Sequence, residues 1–186
     1  MQIHEFDLLV LCGGAGSRMK GKDKPLISYH GRPMIDLVVS SVPDAQSTWI
    51  SANRNTAQYS QWGQVFKDRD VDVKVNASGP LVGILGALDR TQADWLLVSP
   101  GDSPQLAENW YAPLFAQANA QGAVIFDGER NQNLHLLLAR STAADLRAYL
   151  NGGRYRVWQW LAEIAVVPTA AVAAEGFKNV NSPEDF

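Results

Sequence analysis

The chain has a single cysteine, Cys12, so no internal disulfide framework is possible and a reducing compartment is expected. Histidine is as sparse. His4, His30 and His135 have no metal-ligand spacing and are expected on the surface or in loops. No apolar run approaches the roughly 20 residues of a membrane span. The opening stretch MQIHEFD is acidic and leads straight into a strand-like run, so it does not read as a signal peptide. There is no basic surplus, and a net charge of −3 argues against bulk nucleic-acid binding. Repeats, low-complexity tracts and linkers are missing as well. The expectation is a cytoplasmic protein, one domain over residues 1–186, with no membrane or nucleic-acid partner. Its 46% hydrophobic and 19% charged residues suffice for a real core in a soluble globular chain.

Short apolar runs alternate with helix-period segments, the pattern of an α/β sheet with mainly parallel strands. Strands are predicted at Leu8–Leu11, Trp49–Ser51, Val71–Val75, in DWLLVSPGD up to Asp102, at Gly122–Phe126, from Asn133, and in IAVVPT and FKNVN. Helices are predicted at 33–42, 82–88, 106–121, 142–150 and 155–163. SPED, from Ser182, reads as a helix start, with serine as the cap and proline at the first position.

One spacing is out of proportion. Roughly twenty residues separate the first strand from the first helix, where about 2–6 are usual, and long connections of this kind are usually functional or disordered. Gly13, Gly14 and Gly16 let backbone N–H groups approach an anion, while Arg18, Lys20, Lys22 and Lys24 add positive charge. Such a set suits a triphosphate. The loop is nevertheless no Walker motif, because Asp23 stands where Ser or Thr would hold Mg²⁺, and no dinucleotide fingerprint, because Met19 replaces the third glycine. A metal ligand must then come from elsewhere. Asp102, at the carboxyl end of another apolar strand, has the oxygen chemistry for it.

LCGGAGSRMKGKDKPL from Leu11, GPLVGIL from Gly79, SPGDSP around Asp102 and NVNSPED from Asn179 together resemble the molybdenum cofactor guanylyltransferases. These are nucleotidyltransferases with a three-layer α/β/α, Rossmann-like fold. The resemblance implies that the backbone of Leu11, Cys12, Gly13 and Gly14 cradles GTP and that Lys24 binds its phosphates. Arg18 would stabilise charge developing on the triphosphate, and Asp102 would carry Mg²⁺, or Mn²⁺ in its place. GPLVG, with Gly79 and Gly83, would help form the base pocket, and Ser51 lies where a base contact is expected. Arg156, Asn179 and Asn181 match positions for the acceptor, molybdenum-molybdopterin, or for the metal. Arg154, Tyr155, Trp158 and Trp160 fit either a pterin-contacting edge or an amphipathic helix with inward aromatics. Asp23 belongs to the family's Asp-Lys pair, orienting the lysine.

The chain departs from the family at Cys12 (usually Ala) and at Ser51 (often Asn). Asp70, Asp72 and Asn76 all stand near the family's acidic position after its third strand, and DGERNQNLH has Gln132 where the family's His-Pro would follow. The reaction implied is transfer of GMP from GTP to the acceptor's terminal phosphate by a monomer, with transient contact to cofactor-insertion proteins or molybdoenzymes. A CTP-dependent molybdopterin cytidylyltransferase, a sugar-phosphate nucleotidyltransferase and a non-catalytic GTP-binding module are the alternatives. A phosphate monoester is already an anionic nucleophile, so neither a strong base nor a covalent intermediate is required. Cys12 is accordingly expected to be structural.

Overall fold

In this computed structural model residues 5–13, 23–73 and 78–177 are described. Seven strands form one sheet in the order β5–β4–β1–β6–β8–β7–β9. In chain order these are β1 (Phe6–Leu11), β4 (Thr48–Ser51), β5 (Gln64–Phe66), β6 (Trp95–Pro100), β7 (Gly122–Phe126), β8 (Asn131–Ala139) and β9 (Val167–Pro168). A separate two-stranded ribbon, β2 (Ser28–Tyr29) with β3 (Arg32–Pro33), fills part of the long connection after β1. The helices are α1 (Met34–Ser40), α2 (Thr56–Tyr59), α3 (Pro80–Leu88), α4 (Ala112–Gln117), α5 (Ala143–Asn151) and α6 (Val157–Glu163).

The runs that lack alternation in sequence are the strands buried on both faces. Leu8, Leu9 and Val10 are completely buried, and successive side chains point to opposite layers. Leu9 joins Leu96, Val98, Leu136 and Leu138 beneath α3, α5 and α6. Leu8 and Val10 join Ile50, Leu97, Ile125 and Leu137 in the layer that contains α1 and α4. β8 alone runs against the sheet, because a four-residue turn with Gly128 at φ +93° folds it directly back on β7. The result is a mainly parallel sheet between two helical layers, as the sequence pattern implied.

Three expectations are corrected. Val71–Val73 forms no strand, and the position beside β4 is taken by Gln64–Phe66. The VDVKV alternation imitates a strand, whereas β5 is short, begins on the exposed Gln64 and buries only Phe66 fully. The helix predicted over 106–121 shrinks to Ala112–Gln117, because Asn109 sits at φ +58° and Pro113 is tolerated only in a first turn. His135 is no surface residue. It lies on β8 with 2% of its surface exposed, between the rings of Trp110 and Phe177 at 5.5 and 5.1 Å. In the predicted FKNVN strand, Phe177 closes a short 3₁₀ turn (Ala174–Phe177). Residues 74–75 and 178–181 and the SPED helix start lie outside the described residues.

Candidate functional site

The chain builds β1, β4 and β5 in succession on one side and then crosses to place β6 on the other side of β1. The crevice where strand order reverses, outside the carboxyl ends, is where open α/β sheets bind ligands. Here it lies between β1 and β6. The end of β1 is pinned on both flanks: the Cys12 N–H donates to the Ser51 carbonyl at 2.9 Å, and the Gly101 N–H donates to the Leu11 carbonyl at 3.0 Å. Leu11, Cys12 and Gly13 therefore present a fixed backbone to the crevice.

Lys24 and Asp102 meet there. The Lys24 Nζ donates to Asp102 Oδ2 at 2.5 Å, bridging the loop after β1 and the loop after β6. The approach depends on Gly101, since a Cβ there would stand 3.0 Å from Pro25, the buried proline that opens the 3₁₀ turn Lys24–Leu26. Each side chain keeps about a fifth of its surface exposed, 19% for Lys24 and 21% for Asp102, so the pair can be reached by a ligand. Among the described residues no group of three or more His, Cys, Asp or Glu is arranged to hold a metal ion. Asp102 fits Mg²⁺ as one hard oxygen donor at an open edge, with phosphate oxygens and waters completing the set, the usual way this ion is held beside a triphosphate.

Asp23 turns its carboxylate toward the segment after β4. Only 7% exposed, it accepts hydrogen bonds from Arg54 Nη2 at 2.5 Å and Asn55 Nδ2 at 2.9 Å. Its carboxylate ties the loop to the segment after β4, while Lys24 reaches the other way to β6. Sequence reasoning missed Arg54 and Asn55. The signal available was the polar cluster ANRN immediately after an apolar strand, at the same edge as Cys12 and Asp102.

The other expected residues fall around this centre. Ser51 is buried at the end of β4, and a Cβ on Gly83 would come within 2.7 Å of its Oγ, so α3 lies directly over it. Gly79 caps α3 at φ +113°, a conformation L side chains rarely adopt, and its absent Cβ faces open space. Burial pushes the Cys12 thiol well above its usual range, with the neighbouring Tyr59 hydroxyl opposing it and Asp102 and Asp23 acting in the same direction as burial. A thiol held protonated in this way is a packing group rather than a nucleophile.

Arg156 is exposed at the start of α6, and its carbonyl accepts from the Tyr149 hydroxyl at 3.0 Å. Trp158 and Tyr155 are half exposed, whereas Trp160 is buried, so the aromatics divide between surface and core. Neighbouring Arg154 is committed elsewhere, ion-paired with Glu163 and lying 4.2 Å over the Tyr149 ring. Asp70 caps its own turn by accepting from the Lys67 N–H at 2.9 Å, and Asp72 is fully exposed beside Arg147. Gln132 donates to Asp127 at 2.6 Å. That carboxyl is held below its usual range by the backbone N–H groups of Arg130 and Glu129 and by Gln132. Gly14, Arg18, Asn76, Asn179 and Asn181 lie outside the described residues.

Residues 8–167 match the MobA-like NTP transferase domain family. A molybdenum cofactor guanylyltransferase of Shewanella frigidimarina is 39% identical, covering 97% of this chain and 93% of that protein. One of Shewanella halifaxensis is 36% identical over 97% of this chain and 91% of its own length. Among solved structures, a molybdopterin-guanine dinucleotide biosynthesis protein A from Archaeoglobus fulgidus superposes with a TM-score of 0.72 at 20% identity. That superposition covers 96% of this chain and 94% of the other, which establishes a shared fold.

Proposed function

The chain belongs to the MobA-like NTP transferase family, and on that premise we propose that it transfers GMP from GTP to the terminal phosphate of molybdenum-molybdopterin, releasing pyrophosphate. The observation that carries this reading is the Lys24–Asp102 bridge at the point where strand order reverses. It is a cation and an anion held at one open edge, next to a backbone cradle of Leu11, Cys12 and Gly13.

An oxygen of the acceptor's phosphate attacks the α-phosphorus in line, and the bond from that phosphorus to the oxygen bridging to the β-phosphate breaks. Little covalent chemistry is asked of the protein, so positioning and charge neutralisation supply the rate. Lys24 would exchange Asp102 for the phosphate oxygens, and Asp102 would then be the residue that holds Mg²⁺ or Mn²⁺. The ion supplies charge neutralisation on the triphosphate when bound. Gly79 and Gly83 leave room for the base against α3, and Arg18 adds positive charge on the phosphate side. Arg156, Asn179 and Asn181 contact the acceptor.

The exchange gives free cation and nucleotide unequal access. Free Mn²⁺ would compete with Lys24 for Asp102, whereas a metal–nucleotide complex would bring phosphates that Lys24 could take instead. GTP therefore raises the affinity for Mn²⁺, and a Lys24→Met variant binds free Mn²⁺ more tightly than wild type by paramagnetic resonance. No membrane or nucleic acid is needed; the reaction fits a monomer in the cytoplasm that passes its product on through transient contacts. The test offers Mg²⁺, molybdenum-loaded molybdopterin and each nucleoside triphosphate in turn, reading pyrophosphate and the dinucleotide product. Turnover is expected with GTP. Turnover confined to CTP, or none despite tight GTP binding, overturns the reading.

A further inference from the structure

The segment that follows β4 is held from both sides. Toward β5, Ala52 donates its N–H to the Phe66 carbonyl at 3.0 Å, and Asn53 and Asp68 exchange two hydrogen bonds. The Asn53 amide donates to Asp68 Oδ2, and the Asp68 N–H donates to Asn53 Oδ1, both at 2.9 Å. Toward β1, Arg54 and Asn55 reach Asp23 at 2.5 and 2.9 Å. The next residue, Lys24, reaches Asp102 beyond β6 at 2.5 Å. These contacts form a continuous line across the carboxyl ends of four strands in their sheet order, β5–β4–β1–β6.

We propose that Arg54 and Asn55 are positioning residues that act through Asp23 to hold Lys24 at the nucleotide, as the middle links of this belt. This inference rests on the assignment of Lys24 to the triphosphate.

The physical case begins with burial. Asp23 is 7% exposed, and a buried carboxylate must be paired and hydrogen-bonded to stay charged there at acceptable cost. Arg54 is the ion-pair partner, with 46% of its own side chain in solvent, and Asn55 fills a second acceptor position from a left-handed backbone at φ +49°. Asparagine tolerates that conformation better than most residues, so the amide is pre-aimed at Asp23. With Asp23 fixed, the adjoining turn leaves Lys24 little freedom. Pro25 locks the next φ and is itself buried beside Gly101. The lysine then swings through its side chain alone, between Asp102 and an incoming phosphate. Misplacement of a reacting group by about 1 Å can cost on the order of 100-fold in rate, so such a brace bears directly on turnover.

The test places Arg54→Ala in the wild-type background and in a Lys24→Ala background. It reads the affinity for GTP with Mg²⁺ by calorimetry, kcat/KM where turnover allows, and thermal unfolding as a check on folding. In the wild-type background Arg54→Ala lowers kcat/KM about 10- to 100-fold and GTP affinity by a smaller factor. In the Lys24→Ala background the same change alters GTP affinity by no more than about twofold, since residues that act through one another are not additive. Arg54→Lys recovers part of the loss by keeping the charge on Asp23. Should Arg54→Ala fold poorly, the same cycle is run with Asp23→Asn. Equal losses in both backgrounds overturn the proposal, because Arg54 would then touch the ligand itself. A loss of thermal stability with unchanged affinity and kcat/KM also overturns it. The affinity cycle needs no acceptor, so a protein that binds GTP and transfers nothing refutes the transfer reaction and leaves the belt standing.

Discussion

Two aspartates at opposite ends of the same sheet show how one residue type serves two purposes. Asp7, near the amino end of β1, is 4% exposed and accepts from the Trp49 indole at 2.9 Å and the Thr91 hydroxyl at 2.7 Å. Thr91 in turn accepts from the Ala93 N–H at 3.1 Å, so a chain of neutral donors closes around the carboxylate. Asp102, just past the carboxyl end of β6, is bonded to an ammonium group with a fifth of its surface still open. The first arrangement ties β1 and β4 to the connection entering β6. The second is an ion pair that a phosphate and a metal can divide between them. In a parallel sheet the amino edge is available for such ties, because the ligand crevice forms at the other edge.

The two aspartates part most visibly in activity. Asp102→Ala and Lys24→Ala each lower kcat/KM by about 100- to 1000-fold, the scale of losing one preorganised electrostatic contact, while the protein keeps its fold by circular dichroism. Near-normal turnover of either variant would remove that residue from the reaction. Asp7→Ala should do the opposite. It leaves the Trp49 and Thr91 donors buried and unmatched, costing about 1–3 kcal/mol in urea unfolding, with kcat of the folded protein within about twofold of wild type.

These contrasts were legible in the sequence to different depths. β1, α3 and β6 could be read because burial on both sides demands unbroken apolar runs, and Leu8–Leu11, Leu81–Leu88 and Leu96–Val98 supply them. The long loop and Asp102 stood out through spacing and chemistry. β5 escaped because three residues in a strand at the edge of a sheet carry too little pattern. His135 escaped because a lone histidine looks polar, whereas in the fold it fills an aromatic niche between Trp110 and Phe177. Arg54 and Asn55 escaped because their partner, Asp23, is some thirty residues away in sequence, and its burial is visible only once β4 lies beside β1.

An effect of intermediate size is expected at His135. Burial pushes its imidazole down to about 3, and Nε2 has no hydrogen-bond partner among the described residues. The folded state thus binds no proton there until far below the unfolded value near 6.5, so stability falls as pH drops from about 6.5 toward 3. The slope is about 1.4 kcal/mol per pH unit from this group, or about 2 kcal/mol by pH 5. His135→Phe keeps the ring packing and removes that contribution, so wild type should lose about 2 kcal/mol more urea stability than the variant on going from pH 7 to pH 5. A difference that stays constant with pH would contradict the assignment. The smallest effect is expected at Arg154, whose guanidinium is occupied by Glu163 and Tyr149 on the surface. Arg154→Ala should shift the melting temperature by no more than about two degrees and leave the KM for the acceptor unchanged. Arg156→Ala should raise that KM. Equal effects at the two arginines would erase the distinction between them.

The central claim is that the carboxyl-edge pair of Lys24 and Asp102 serves a GMP transfer. Its most direct test is acceptor-dependent pyrophosphate release from GTP, measured side by side for wild type and the near-isosteric Asp102→Asn. The account predicts release and dinucleotide formation by wild type only when molybdenum-loaded molybdopterin is present, and near-complete loss in a variant that still melts cooperatively. Release without the acceptor, or undiminished release by Asp102→Asn, would contradict it.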